Sequence, residues 1–145
     1  CTPIQIQRYQ SRISGPLIDR IDIQIEVPRV SYDELSSQEM GESSSAIRQR
    51  VENAMMIQHH RFAAGNILNN AGMGSVEIKT YCHLDSACKK RMKQAVDVLG
   101  LSARAGQAIL RVARTIADLE SSKIISEHHL AEAIQYRCFD RKTCQ

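Results

Sequence analysis

Arginines carry the most telling chemistry in this chain. Arg20 ends the run Gly15-Pro16-Leu17-Ile18-Asp19-Arg20, which reads as a sharp turn into a short helical turn. Arg104 falls in the first turn of a helix that begins after Leu101-Ser102-Ala103, and Arg111 and Arg114 follow on the same helix. A guanidinium is always charged and offers a planar fork of donors, which suits phosphate or carboxylate oxygens. The rigid Gly-Pro turn is a good place to hold the root of a long side chain such as that of Arg20. The plainer reading is that Arg20 pairs with Asp19 or Asp22 and only caps the turn. Arg104 lies near the positive end of its helix, where a cation is mildly disfavoured, and this conflict hints at an anion nearby. Its plainer reading is a solvated helix arginine, and Arg111 and Arg114 read as surface or subunit-interface residues.

Other chemistries have weaker support. Asp19, Asp22 and Glu26 flank one extended stretch, and nothing places them across a cleft as a glycosidic acid pair would require. His59-His60 and His128-His129 are adjacent pairs, which point in different directions on a helix and make poor chelators; no metal site is expected. The five cysteines, Cys1, Cys82, Cys88, Cys138 and Cys144, form no CxxC pair and read as reduced thiols of a cytoplasmic protein. There is no GxSxG elbow, no GxxxxGK[ST] phosphate loop and no apolar strand ending in paired acids. On its own the chain is therefore not expected to hold Mg-ATP.

The elements that position these residues are mostly helical. The chain has 145 residues, 43% of them hydrophobic, enough for a real core, with only 4% aromatic and a net charge of +3. No run of apolar residues is long enough to span a membrane, and no export signal is visible. The start at Cys1 without Met is expected of an excised piece. Thr2 and Pro3 open a helix expected to run to Ile13. Ile21, Ile23, Ile25 and Val27 alternate with Asp22, Gln24 and Glu26 up to Pro28, which predicts a β-strand. A single strand cannot form a sheet, so its partners are expected outside the chain. Ser31-Tyr32-Asp33-Glu34 resembles a capping box, and residues 36–45 read as a mobile loop. A long helix is predicted over 44–64, with Ile47, Val51, Ala54, Met55 and Phe62 on one face and Gly65 as its stop. Residues 66–72 read as a turn, and 75–82 as either strand or helix. Three capped helices follow: from Asp85 to Gly100, from Ser102 to Leu119, and from Ser126 to Tyr136. The tail from Arg137 onward reads as frayed.

Several blocks resemble a known family in order and spacing. They are Ser11-Arg12-Ile13-Ser14-Gly15-Pro16-Leu17-Ile18-Asp19-Arg20-Ile21-Asp22, Glu42-Ser43-Ser44, Leu101-Ser102-Ala103-Arg104-Ala105, Val112-Ala113-Arg114-Thr115-Ile116-Ala117-Asp118-Leu119 and His129-Leu130-Ala131-Glu132-Ala133-Ile134-Gln135-Tyr136-Arg137. They are similar to the bacterial magnesium-chelatase-like AAA+ ATPases of the ComM/YifB type. The resemblance implies a mostly α fold: the last helix and strand of an αβα core over residues 1–30, then a helical-bundle lid over 31–145. It implies that Arg20 is an arginine finger entering the ATP site of a neighbouring subunit. It implies that Arg104 is sensor 2, reaching the γ-phosphate in cis. ATP and Mg2+ would be held by an upstream part that carries the phosphate loop and most of the sheet, and that part would also bring an N-terminal Lon-protease-like domain. The resemblance also implies that the whole protein is an ATPase in a homo-oligomeric ring, a hexamer, that remodels branched DNA through upstream loops, with this stretch alone inactive. Two alternatives stand beside it: a magnesium chelatase motor that drives metal insertion into a porphyrin, and a stand-alone helical module that binds DNA or protein.

Overall fold

The computed structural model describes residues 2–10, 12, 15–32, 36 and 41–137. The protein is mostly α-helical, as its sequence predicts. Helix α1, Pro3–Gln10, is opened by Thr2: the Gln5 amide donates to Thr2 Oγ1 at 3.4 Å and the Thr2 amide donates to Gln5 Oε1 at 2.9 Å. This reciprocal cap satisfies amides that the first turn leaves unpaired. The helix stops earlier than the expected Ile13, which itself lies outside the described residues. Helix α2, Gly15–Ile18, is the short turn foreseen from the Gly-Pro pair, and the amides of Arg20 and Ile21 close onto Leu17 and Ile18.

The expected strand over 21–27 does not form among the described residues. A single parallel bridge joins Gln24 to Arg137, and the Gln24 amide donates to the Tyr136 carbonyl at 2.8 Å. Ile21, Ile23, Ile25 and Val27 remain exposed, from 42% to 76%. A strand needs a row of partner amides and carbonyls, and among the described residues the amides of Ile23, Ile25 and Val27 have no backbone acceptor.

Helix α3, Ser44–Arg61, starts on Ser43, whose Oγ accepts from the Ala46 amide at 3.3 Å. It ends at Phe62, before the expected Ala64. Ile47, Val51 and Met55, expected to face inward, are 43%, 44% and 48% exposed, while Ala54, Gln58 and Phe62 are buried. Residues 44–53 are all exposed, so the apolar side of the N-terminal half is left largely uncovered among the described residues. A 3-10 turn at Asn70–Gly72 leads to α4, Ser75–Tyr81, which settles the strand-or-helix alternative as helix. Glu77 there caps the Gly74 amide at 2.9 Å, and the Thr80 hydroxyl donates back to the Val76 carbonyl at 3.0 Å. Local hydrogen bonding thus outweighs the β preference of Val76, Ile78 and Thr80. The capping box expected at Ser31 rests on Asp33 and Glu34, which lie outside the described residues, as do residues 37–40 of the loop that follows.

The remaining helices follow their sequence signals. Helix α5, Ser86–Leu99, is capped by Asp85, which accepts from the Cys88 amide at 2.7 Å, and is stopped by Gly100 at φ 61°. Only glycine adopts that left-handed conformation without steric cost. Helix α6, Ala103–Leu119, is capped by Ser102, and α7, Glu127–Gln135, follows Ser126. Helix α6 is the axis of the bundle: Ala105, Ala108, Ile109, Val112, Ala113, Ile116 and Ala117 are all buried on it. Its alanines let α7 approach closely, where Leu130 and Ala133 complete the contact with Cys88, Phe62, Met73, Ile78, Cys82 and Ile125 around them. Burial of a side chain such as Ile109 or Leu130, both essentially inaccessible, stabilises by about 1.5–3 kcal/mol. Among the described residues no helix is long and apolar enough to cross a membrane.

Candidate functional site

Arg20 and Arg104 are both exposed, and among the described residues neither side chain makes a hydrogen bond or ion pair. Their roots are joined by one contact: the Ser102 hydroxyl donates to Asp19 Oδ2 at 2.7 Å. Ser102 is also the cap of α6, where its Oγ accepts from the Ala105 amide at 3.1 Å. Arg20 follows Asp19 directly, and Arg104 stands two residues beyond Ser102. The acids that could have quenched Arg20 are engaged elsewhere. Arg137 donates to Asp19 Oδ1 at 3.3 Å and Arg111 donates to Asp22 Oδ1 at 3.3 Å. The reading in which Arg20 merely caps its own turn is not what the structure contains. What it contains is two unpartnered guanidiniums, one on the α2 turn and one on the first turn of α6, each available to anionic oxygens.

Arg111 and Arg114 are not the solvated face expected of them. Arg114 is 3% exposed. Its guanidinium donates to Asp118 Oδ1 and to the carbonyls of Ser122 and Lys123. Burial pushes its pKa down, and the Asp118 charge opposes that shift. Asp118 also receives both arms of Arg61, at 2.7 and 2.5 Å, and the Asn70 side-chain amide at 2.8 Å. The Asn70 amide group reaches Thr115 as well, and its backbone N–H donates to Gln58. This network fixes α3 and the Asn70 turn onto α6. Arg111 is largely covered, and its Nε is buried without a partner among the described residues.

His128 and His129 also depart from expectation. His59 and His60 are exposed, but His129 is 1% exposed. Its Nδ1 accepts the Ser126 amide at 3.0 Å, so the neutral ring carries its proton on Nε2 and donates it to Glu120 Oε2 at 2.9 Å. His128 Nε2 lies 3.0 Å from the same oxygen. These contacts hold the Glu120 carboxyl below its usual range. Glu120, His128 and His129 are the group among the described residues with enough ligand atoms for a metal. With its Nε2 protonated, however, His129 has no lone pair to offer there. The three side chains form a cap between α6 and α7. Cys82 and Cys88 are free and buried, and desolvation lifts each thiol to about 11, which leaves them inert at neutral pH. The other cysteines lie outside the described residues.

The residue that sequence reasoning missed most clearly is Arg137. The sequence predicts a frayed tail from this residue onward, yet Arg137 is fully buried and bonds to the Ile21 carbonyl and to Asp19. Nothing local marks it, because its partners are more than a hundred residues away in sequence. Asp118 left one trace, its i,i+4 spacing from Arg114.

Comparison with known proteins agrees with this architecture. Residues 41–137 match the family described as magnesium chelatase, subunit ChlI C-terminal, and residues 1–35 match magnesium chelatase, subunit ChlI. The chain is 44% identical over 142 residues to the uncharacterized protein YifB of Escherichia coli (strain K12), covering 97% of this chain and 27% of that protein. It is 43% identical over 141 residues to competence protein ComM of Haemophilus influenzae, again covering 97% of this chain and 27% of that protein. A 30% identical relative, the uncharacterized protein Mb2921c of Mycobacterium bovis, matches over 137 residues, 94% of this chain and 27% of that protein. The chain thus spans about a quarter of the length of these curated relatives. With both family matches and these relatives, the chain belongs to the magnesium-chelatase-like family of the ComM/YifB type.

Proposed function

We propose that this chain is the finger-and-lid portion of an AAA+ motor subunit that couples ATP hydrolysis in a homo-oligomeric ring, hexameric by resemblance, to the remodelling of branched DNA. The carrying observation is the pair of exposed arginines, Arg20 and Arg104, unpartnered among the described residues and rooted on either side of the Asp19–Ser102 hydrogen bond. Both fit the oxygens of a γ-phosphate, and Mg-ATP, held by other parts of the subunit, supplies the leaving phosphoryl group. Arg20 neutralises the charge that builds on that group, as an arginine finger from the adjoining subunit does. Arg104 contacts the same phosphate and links it to the orientation of α6. The relative named competence protein supports DNA as the object of the work.

The shared anchor favours a reading in which both arginines serve one nucleotide, that of the neighbouring subunit, over the split of one in trans and one in cis. Co-assembly of Arg20→Ala with Arg104→Ala subunits separates the two. If the roles are split, some interfaces in a mixed ring regain both arginines and turnover returns. If both act at one nucleotide, every interface lacks one and turnover stays low. The whole protein carrying Arg20→Ala is expected to bind ATP normally and to lose roughly a thousandfold or more in turnover. It should also fail to move a synthetic four-way DNA junction. Undiminished turnover sinks the finger role. Junction movement absent in the parent protein, together with ATP-driven metal insertion into a porphyrin, favours the chelatase alternative.

A further inference from the structure

We infer that Arg111 and Arg137 are positioning residues that lock the Arg20 turn to the helical lid, so that lid and finger move as one body. The inference rests on the reading of Arg20 as a finger. Arg137 grips both neighbours of residue 20, bonding to the Asp19 carboxylate and the Ile21 carbonyl. Arg111, from the middle of α6, holds the next acid, Asp22. The Gln24 amide bonds to the Tyr136 carbonyl, and the Gln24 side chain returns to the Ile18 carbonyl at 3.4 Å. Residues 18–24 are thus tied at successive points to α6 and to the end of α7, while the Arg20 side chain itself is left outside the ties.

The energetics argue that this arrangement is more than incidental packing. Arg137 has no exposed surface, and a buried guanidinium is tolerated only where its donors are met. Arg111 keeps a buried Nε without a partner in order to reach Asp22. A lysine could not replace Arg137, because a point charge does not span a carboxylate and a carbonyl two residues apart. Any rotation of α6 and α7 must therefore carry Asp19, Ile21 and Asp22 with it. A change of lid angle in one subunit then displaces the finger it offers to the next, which is a direct route for coupling between neighbouring sites.

The test uses the whole protein and a double-mutant cycle. Arg111→Met is the main variant, because Arg111 is partly exposed and stands outside the hydrophobic core cluster; Arg137→Met is the second. Each is expected to lower kcat about tenfold at unchanged KM, because it misplaces a group used only in the transition state. Arg111→Lys should restore most of the rate by keeping a charge beside Asp22. In an Arg20→Ala background the same substitutions should change the residual rate by less than about twofold, since there is no finger left to misplace. An equal loss in both backgrounds would mean a general structural role and overturns the inference, as does an unchanged kcat in Arg111→Met. If Arg20→Ala alone leaves turnover intact, the finger reading has failed, and the positioning role fails with it. If Arg20→Ala abolishes turnover while Arg111→Met is silent, only the positioning role is lost.

Discussion

A carboxylate with no exposed surface must have its lone pairs met from within, and Asp118 meets them with Arg61, Arg114 and Asn70. Two guanidiniums in turn depend on that one charge. Removing one member of such a buried group is costly because the partners are left charged and unsatisfied. Asp118→Ala is therefore expected to lower stability by about 3–5 kcal/mol, read as a fall in the urea midpoint with the slope preserved. Asp118→Asn keeps the shape but gives both arginines a neutral partner, and should lose most of the same stability. A change within about 0.5 kcal/mol, the range of ordinary surface substitutions, contradicts this account. The sequence made half of this legible: Arg114 and Asp118 are one turn apart on a helix. It could not reveal Arg61, which is 57 residues from Asp118 in the chain. Arginine is usually exposed, so the default reading of Arg114 as solvated followed from a sound prior that this packing overrides.

Between elements, what could be read in the sequence was whatever is decided locally. Asp85, Ser102 and Gly100 mark helix ends through contacts with residues three or four positions away, and all three act as expected. The apolar stripe of α3 failed for the opposite reason: whether Ile47 and Val51 are buried depends on a distant element that periodicity does not describe. The link between α6 and α7 shows an intermediate case. Neighbouring residues on a helix point apart, so the sequence predicts no convergence of His128 and His129. At the first turn of α7, however, both rings fold back to Glu120, one of them also capping Ser126. The two imidazole contacts hold the Glu120 carboxyl below its usual range, so the folded state binds that proton less readily than the unfolded chain. The contribution to stability is present above the unfolded carboxylate value and is lost as pH falls through the folded one. Glu120→Gln should consequently flatten the loss of stability on acidification below about pH 4.5, the ordinary carboxyl value, when thermal midpoints are followed across that range. A slope identical to the parent's would show that the contacts to His128 and His129 do not favour the charged form.

On the scale of the whole molecule, residues 21–27 are the stretch whose sequence and surroundings disagree. Ile21, Ile23, Ile25 and Val27 have the alternation of a half-buried strand, yet they face solvent. Among the described residues the amides of Ile23, Ile25 and Val27 have no backbone acceptor, whereas that of Gln24 bonds to Tyr136. Burying one such side chain contributes about 1.5–3 kcal/mol, so four left exposed represent a large unmet driving force for pairing. The relatives are nearly four times as long as this chain, which leaves room for a sheet that receives the stretch. In the 145-residue chain, hydrogen exchange at Ile23, Ile25 and Val27 should run near the rate of an unstructured peptide, while Gln24 and the buried turns of α6 are protected. In the whole protein those three amides should become as slow as the core of α6. Fast exchange in both would mean that the alternation is not a strand signal at all. Slow exchange in the short chain would mean that pairing is already complete without a sheet. Only the combination of fast in one and slow in the other fits a strand whose neighbours lie elsewhere. It would also mean that Arg20, held to the lid by Arg111 and Arg137, stands where the sheet meets the lid.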